Sequence, residues 1–205
     1  MDMRALVTGA NRGVGAEFAR QLRAMGWQVI EGSRAAGLDL ADPAAIVRFA
    51  KGLGDLPIDL LINNAAIAGD RGGLATLEPE AFLEVIRVNT LAPLLLVRAL
   101  LPNLKGMVVN ISSRSGSLAE GRSDEGDYAY KCSKAALNMA GVKLADETGL
   151  TVLALHPGWA QTDMGGPDAD VPVGESVAGM LKIILAAGAE DSRTFRAYDG
   201  AVVAW

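Results

Sequence analysis

The sequence predicts an α/β fold in which a parallel sheet is covered by helices on both faces. Two observations carry this. Short apolar runs alternate with helical segments along the chain, and the first run passes through a glycine-rich turn into an amphipathic helix. The composition agrees. The 205 residues are 50% hydrophobic and include 24 glycines, which suits one tightly packed domain over residues 1–205.

Taken in order, Arg4–Thr8 reads as a short buried strand. It enters Gly9-Ala10-Asn11-Arg12-Gly13-Val14-Gly15 and then a helix from Ala16 to Met25. Strand, glycine turn and helix are the context of a dinucleotide site. Glycines let the backbone approach a pyrophosphate, and the helix N-terminus supplies amide donors and a favourable dipole. The spacing of Gly9, Gly13 and Gly15 departs from G-x-G-x-x-G, so a plain turn stays the alternative. Trp27–Arg34 reads as the second strand. Such a strand usually ends at the ribose 2′ position, where an acidic residue suits a hydroxyl and an arginine a phosphate. Ser33 and Arg34 stand there, with Arg12 as a second cation, so NADP(H) is expected over NAD(H). A solvated loop charge is the other reading of Arg34.

Leu38–Leu40 follows too soon for a crossover helix, which needs about a dozen residues. The expectation is a missing helix and at best a short third strand at the sheet edge, with the adenine side left open. Asp42-Pro43 reads as an N-cap with proline at the first helical position, opening a helix to Lys51. Ile58–Ile62 is a buried strand running into Asn63-Asn64-Ala65-Ala66, and residues 67–76 are a loop. Glu78-Pro79-Glu80 opens a long helical pattern that contains Asn89. Met107–Ser113 is the next strand, and residues 114–127 form a polar loop. A helix then runs to about Ala145, Thr151–His156 is a strand that Pro157-Gly158 breaks, Glu175–Ala187 is an apolar helix, and Ala201–Trp205 is a short final strand.

In the helix after residue 127, Tyr130 and Lys134 are four residues apart and share a face. A tyrosine hydroxyl has a pKa of about 10, and a fixed cation nearby moves it toward neutrality. The pair is therefore suited to proton exchange in a carbonyl/alcohol interconversion. An aromatic ring packed under a lysine stem is the plainer reading of the pair alone.

Other functions are disfavoured. A net charge of −5 argues against nucleic-acid binding. The one cysteine, Cys132, allows no internal disulfide, so a reducing, cytoplasmic location is expected; it is read as packed rather than nucleophilic. The N-terminus shows no signal-peptide pattern, and the longest apolar run, Leu91–Leu101, is broken by Pro93 and Arg98, so no membrane partner is expected. His156 is the only histidine, and no metal is expected.

The motifs Thr8-Gly9-x-x-x-Gly13-x-Gly15, Asn63-Asn64-Ala65, Asn89, Ile111-Ser112-Ser113, Tyr130-x-x-x-Lys134 and Pro157-Gly158, in this order, resemble the short-chain dehydrogenase/reductase family over nearly the whole chain. The stretches Tyr130–Met139, His156–Met164 and Tyr198–Gly200 are similar to its compact branch of C-factor and sniffer-type carbonyl reductases. The resemblance implies a Rossmann-type, doubly wound sheet of order 3-2-1-4-5-6-7. It implies that Tyr130 is the general acid of carbonyl reduction and that Lys134 lowers its pKa while holding the nicotinamide ribose. Ser113 bonds the substrate oxygen, and Asn89, at a helix distortion, holds a water that relays protons. Ser113 is preferred to Ser112 as the last residue before the loop. The cofactor is assigned Gly9, Asn11, Arg12, Gly13, Val14 and Gly15, then Ser33 and Arg34. Asp39 is placed at adenine, Asn63 on the adenosine side and Thr162 at the nicotinamide carboxamide, and Leu40, Ala65, Pro157 and Gly158 are assigned to the cofactor as well, with Tyr130 and Lys134.

Two departures stand out. Ala66 occupies a position where the family usually has glycine, a small change expected to be accommodated. The interval from Ser113 to Tyr130 is longer than usual; residues 120–127 are read as a solvated turn, with substrate selection as the alternative. The short segment Asp163–Gly174 implies an open pocket for small or medium carbonyl compounds or alcohols. The resemblance implies a homodimer pairing the helices near residues 80–100 and 127–145, with a tetramer as the alternative. An NAD(P)-binding regulatory or signalling protein with little turnover is the competing function.

Overall fold

Six parallel strands form one sheet in the order β2-β1-β3-β4-β5-β6, in a computed structural model that describes residues 3–69, 71–120 and 126–205. The strands are β1 (Arg4–Thr8), β2 (Gln28–Gly32), β3 (Ile58–Asn63), β4 (Leu104–Ile111), β5 (Thr151–His156) and β6 (Thr194–Ala197). Between them run α1 (Gly13–Ala24), α2 (Pro43–Gly52), α3 (Pro79–Ile86), α4 (Ala92–Leu100), α5 (Tyr128–Thr148) and α6 (Val173–Ala186). Every strand pair is parallel. Their carboxyl ends, and so the turns that follow them, therefore share one edge of the sheet, where open α/β sheets bind ligands.

Two cores explain why the strands are apolar on both faces. On one face Phe18 and Leu22 of α1 and Val177, Met180 and Ile184 of α6 pack on Val7, Leu60, Ile62, Val109 and Leu153. On the other, Ile46 of α2, Leu96 and Leu100 of α4 and Ala145 of α5 pack on Leu6, Leu61, Val108 and Val152. Adjacent residues such as Leu60 and Leu61 serve opposite faces, as a period of two requires. Each fully buried Leu, Ile or Phe contributes roughly 2 kcal/mol by leaving water.

The α/β class and the strand order follow expectation with one strand fewer. Leu38–Leu40 is not a strand. After β2 the chain makes a short 3-10 turn over Arg34–Ala36, and Gly37 takes a left-handed φ of 84°. The Leu38 amide then bonds back to the Ser33 carbonyl at 2.9 Å, and Asp39 turns onto the Ala41 amide. The chain closes on itself instead of extending along β2. Leu38 is nonetheless buried, filling space beside Gly32 in the second core. The absent crossover helix is as expected, and β2 is the sheet edge. Asp42 caps α2 through a 2.8 Å bond from the Ala44 amide, with Pro43 at its first position.

The final strand also lies elsewhere. Thr194–Ala197 is the sixth strand, and residues 201–203 fold back antiparallel to it through a bridge between Arg196 and Val202. The turn at Tyr198–Gly200, with Gly200 at a φ of 92°, makes that reversal possible. Among the described residues no helix is long and apolar enough to cross a membrane.

Candidate active site

The first strand and the third are tied at their ends. Thr8 Oγ1 accepts from the Asn64 and Ala65 amides, both at 3.0 Å, and Asn64 Nδ2 donates to the Thr8 carbonyl at 2.8 Å. These bonds set the floor of the glycine turn. A Cβ at Gly15 would lie 2.3 Å from the Gly9 carbonyl oxygen and 2.5 Å from Asn64 Nδ2, so only glycine fits there. Gly13 opens α1 at a φ of 53°, and a Cβ on it would lie 3.3 Å from the Thr162 methyl. Thr162, in the segment after β5, therefore sits over the start of α1.

The N-terminus of α1 has neither a side-chain cap nor an acidic residue in its first turn. Its amides face an open, electropositive end, the chemistry a pyrophosphate needs. Asn63 Nδ2 donates to Asn110 Oδ1 at 2.9 Å, while the buried Asn63 Oδ1 has no partner within the chain. That atom is an acceptor in want of a donor on the expected adenosine side. The turn thus fits a dinucleotide. Asn11 and Arg12 are exposed, Val14 packs on the first core, and Leu40 is half-buried. Arg12 pairs with Asp163 at 3.3 Å, linking the glycine turn to the segment after β5. Ser33 accepts from the Ala36 amide, and Arg34 opens the 3-10 turn, exposed. Ala66 keeps an ordinary backbone: among the described residues only Asp127 and Arg193 are non-glycines at positive φ.

At the other end of the strand edge, β4 delivers two serines with different fates. Ser112 is buried and donates to Asn138 Oδ1 at 2.6 Å. Ser113 is half-buried and stands near enough to the Tyr130 phenol to act on its pKa. The stripe of α5 that faces the sheet holds Ser133, Lys134 and Asn138 among its buried residues, polar groups that each need a partner. Lys134, 3% exposed, donates from Nζ to the Ile111 carbonyl at 2.9 Å and lies 5.5 Å from the Tyr130 ring centroid.

Helices α3 and α4 are joined by a π-helical turn over Arg87–Leu91 that carries Asn89. Pro93 accounts for it. It has no N–H for the Asn89 carbonyl four residues back, and its ring would clash there, so the helix widens by one residue. The turn presents Asn89 inward at 1% exposure. Its Oδ1 accepts from the Ile67 amide at 2.9 Å, and its Nδ2 donates to the Ile67 carbonyl at 2.9 Å and to Ser133 Oγ at 3.0 Å. Ser133 in turn donates to the Tyr130 carbonyl at 2.7 Å. Asn89 thus joins the loop after β3 to the turn of α5 that carries the Tyr130/Lys134 pair. The helix distortion is as expected, but the Asn89 side chain is spent on this brace.

Protonation also differs from expectation. Burial pushes the Tyr130 phenol above its ordinary pKa, the Ser113 hydroxyl opposes that rise, the Asp127 carboxylate adds to it, and the Arg71 guanidinium opposes it. Lys134 does not bring the phenol down here, because its own pKa lies below that of the phenol and its charge is lost before the phenol ionises. Burial instead lowers Lys134 itself to about 8. Cys132, expected to be packed, is exposed: it lies on the side of α5 turned away from the sheet. The segment 120–127, read as a solvated turn with substrate selection as the alternative, falls largely on residues 121–125, outside the described residues.

The structure thus gathers Asn89, Ser113, Tyr130 and Lys134 around one turn of α5, and places the glycine turn, Asn63, Ala65 and Thr162 along the same sheet edge. Pro157 and Gly158 follow β5; the Pro157 carbonyl accepts from Ser176 at 2.6 Å, and Gly158, at a φ of 74°, lies against the Tyr198 ring. Sequence reasoning missed Thr8 as a tie, Ser133 and Asn138 as braces, and Arg71, which holds the Met164 carbonyl at 2.9 Å. The first three had a visible signal, polar residues in the register of buried faces. Arg71 had none, since a loop charge near a site looks like any other loop charge.

Among known families, the model of the short chain dehydrogenases matches residues 33–170. C-signal of Myxococcus xanthus is 42% identical over 156 residues, covering 73% of this chain and 93% of that protein. The NADPH-bound carbonyl reductase from chicken fatty liver superposes with a TM-score of 0.90 at 35% identity, over 100% of both chains. The carbonyl reductase Sniffer of D. melanogaster does so with a TM-score of 0.84 at 27% identity, again over 100% of both. Sheet order, glycine turn and polar α5 stripe agree with that match: the chain belongs to the short-chain dehydrogenase/reductase family and is an oxidoreductase.

Proposed function

We propose that this chain is an NADP(H)-dependent reductase of small or medium carbonyl compounds, or a dehydrogenase of the matching alcohols, working as a single cytoplasmic domain in a homodimer. One observation carries the reading: Ser113, close enough to lower the Tyr130 phenol pKa, and Tyr130 itself stand together beside a buried lysine whose Nζ is 5.5 Å from the Tyr130 ring centroid. A carbonyl oxygen placed between them meets a hydrogen-bond donor and a proton donor together. The carbonyl reductases that superpose on the chain, one of them NADPH-bound, support the choice of substrate and cofactor.

The glycine turn and the start of α1 would hold the pyrophosphate, and Arg12 and Arg34 the 2′-phosphate. Asp39 and Leu40 would lie at adenine, Asn63 and Ala65 beside the adenosine, and Thr162, Pro157 and Gly158 at the carboxamide end. Bound there, the nicotinamide supplies or accepts the hydride. In the reducing direction the carbonyl carbon gains the hydride and its oxygen takes the proton from Tyr130 Oη, while Ser113 donates a hydrogen bond to the developing alkoxide. Lys134, released from Ile111, would meet the ribose hydroxyls and stabilise the phenolate left on Tyr130. Asn89 fixes the helix turn that carries both. No helix crosses the segment between β5 and α6, which favours an open pocket.

A second reading, a cofactor-binding signalling protein, is favoured by the 42% identity to C-signal. The test is a fluorescence titration with NADPH and NADH, followed by turnover on aldehydes, ketones and quinones with Tyr130→Phe as control. Tighter NADPH binding, with turnover abolished in the variant, is the expected result. Tight binding with no turnover of any carbonyl would leave the signalling reading in possession. Equal or tighter NADH binding would remove the role given to Arg12 and Arg34.

A further inference from the structure

The loop that follows Ser113 is gripped from two sides. On one side is α5. Gly116 packs so closely that a Cβ on it would lie 2.7 Å from the Lys134 carbonyl carbon, and Asn138 Nδ2 donates to the Gly116 carbonyl at 3.4 Å. On the other side are residues 204 and 205. Ser117 Oγ donates to the Ala204 carbonyl at 2.6 Å, the Ala119 amide to the Trp205 carbonyl at 2.9 Å, and the Ala204 amide to Glu120 Oε1 at 2.9 Å. These are long-range ties: 87 residues separate Ser117 from Ala204.

Residues 204–205 are themselves anchored. The Val203 amide donates to the Phe195 carbonyl at 2.9 Å, and the Val203 side chain is 2% exposed. The Trp205 ring stacks on Phe195 with centroids 5.4 Å apart. Phe195, in β6, is 1% exposed and belongs with Ala154, Ala197 and Val203 to a small core of its own. A rigid line therefore runs from β6 through Trp205 and Ala204 to the loop, and from the loop to Ser113. Within the loop, Ser113 Oγ also accepts from the Ser115 amide at 3.2 Å, so its direction depends on how residues 114–117 lie.

We propose that residues 203–205 are a positioning clamp for Ser113, holding its loop so that the hydroxyl stays beside Tyr130. The proposal rests on the roles given to those two residues above. The clamp sits at the β6 edge, whereas the glycine turn follows β1, on the far side of β5, β4 and β3. It is therefore expected to act on the reaction and not on cofactor affinity. Misplacing a reacting group by about 1 Å costs on the order of 10²-fold in rate, so a loosened loop is expressed in kcat.

The test uses Trp205→Ala, which removes the ring stack, and Ser117→Ala, which removes the hydroxyl donor, with Trp205→Phe as the conservative variant. Hydrogen exchange on the ligand-free protein gives a readout independent of turnover. In Trp205→Ala and Ser117→Ala, amides 115–117 should exchange about tenfold faster or more, while amides 9–16 keep their protection. With NADPH, kcat should fall about 10- to 100-fold, NADPH affinity should stay within about twofold, and Trp205→Phe should be close to wild type. Unchanged exchange at 115–117 would overturn the clamp. So would an unchanged kcat in a variant whose loop exchanges faster, or a matching loss of NADPH affinity. A wild-type protein with no turnover would defeat the functional reading, and the exchange measurement would still decide whether the clamp exists.

Discussion

The two ends of the sheet edge are built differently. At the reaction end, Asn89, Ser133, Lys134 and Asn138 are buried and joined by bonds from four elements: the loop after β3, the π-helical turn, the end of β4 and α5. At the 2′-phosphate end, Arg34 is exposed at a short turn, and the Arg12–Asp163 pair has side chains 72% and 83% exposed. Such an exposed pair is screened by water and salt and contributes little to stability. The groups proposed for the reaction are held by the fold, whereas the cations proposed for the 2′-phosphate are exposed, with Arg12 held only by an exposed ion pair. Substitutions at the first end should therefore alter rate and stability together, and those at the second should alter affinity alone.

Lys134→Met attacks the comparison at its strongest point. The variant should lose about 10²- to 10⁴-fold in kcat, the range for removing a group from an acid–base step. Its stability should also differ from wild type in a pH-dependent way. Lys134 falls from 10.5 to about 8 on folding, so between those values the unfolded chain binds more protons than the native one. Wild-type stability therefore gains from this group as pH rises from 8 to 10.5, and below 8 the full cost of about 3 kcal/mol is present. The variant lacks that gain. Urea unfolding of both proteins at pH 7.5 and pH 10 would show it as a difference between their pH slopes. Parallel slopes would mean that the lysine is hydrated and the buried end is less rigid than described.

The cofactor end should answer differently. Arg34→Ala and Arg12→Ala should each weaken NADPH binding about tenfold, the worth of one charge-assisted hydrogen bond, and leave NADH binding and unfolding midpoints nearly unchanged. Titration with both nucleotides checks this. If either variant lost thermal stability as well, the contrast between a fold-held and an exposed end would fail there.

The same contrast separates what was legible in the sequence from what was not. The alternating elements, the glycine turn, the N-cap at Asp42 and the Tyr130/Lys134 spacing are local patterns, and they stand as read. Leu38–Leu40 misled because its burial looks like that of a strand, while its backbone bonds depend on Gly37 turning left-handed. The final strand slipped because Phe195 and Val203 are both buried, and composition does not say which one lies in the sheet and which folds back beside it. The widened turn at Asn89 is expected from the family resemblance, and Pro93, four residues on, is its local cause. The partners of the Asn89 side chain did not follow, since Ile67 and Ser133 lie 22 and 44 residues away in the chain.

The smallest effect concerns the two charges that oppose each other at Tyr130. Asp127 raises the phenol pKa and Arg71 lowers it. Asp127→Asn should therefore move the alkaline limb of the kcat profile for carbonyl reduction to lower pH, and Arg71→Gln should move it to higher pH. Reduction needs the protonated phenol, so the rate is lost as pH rises through this pKa. Both groups lie at the mouth of the site: Arg71 is exposed and holds the Met164 carbonyl, and Asp127 stands at the start of α5 with a φ of 56°. Their fields pass partly through water, so the shifts should be small and should shrink with added salt, whereas the loss in Lys134→Met should not respond to salt. Shifts of the same sign in both variants would mean that loop geometry, and not charge, sets the phenol.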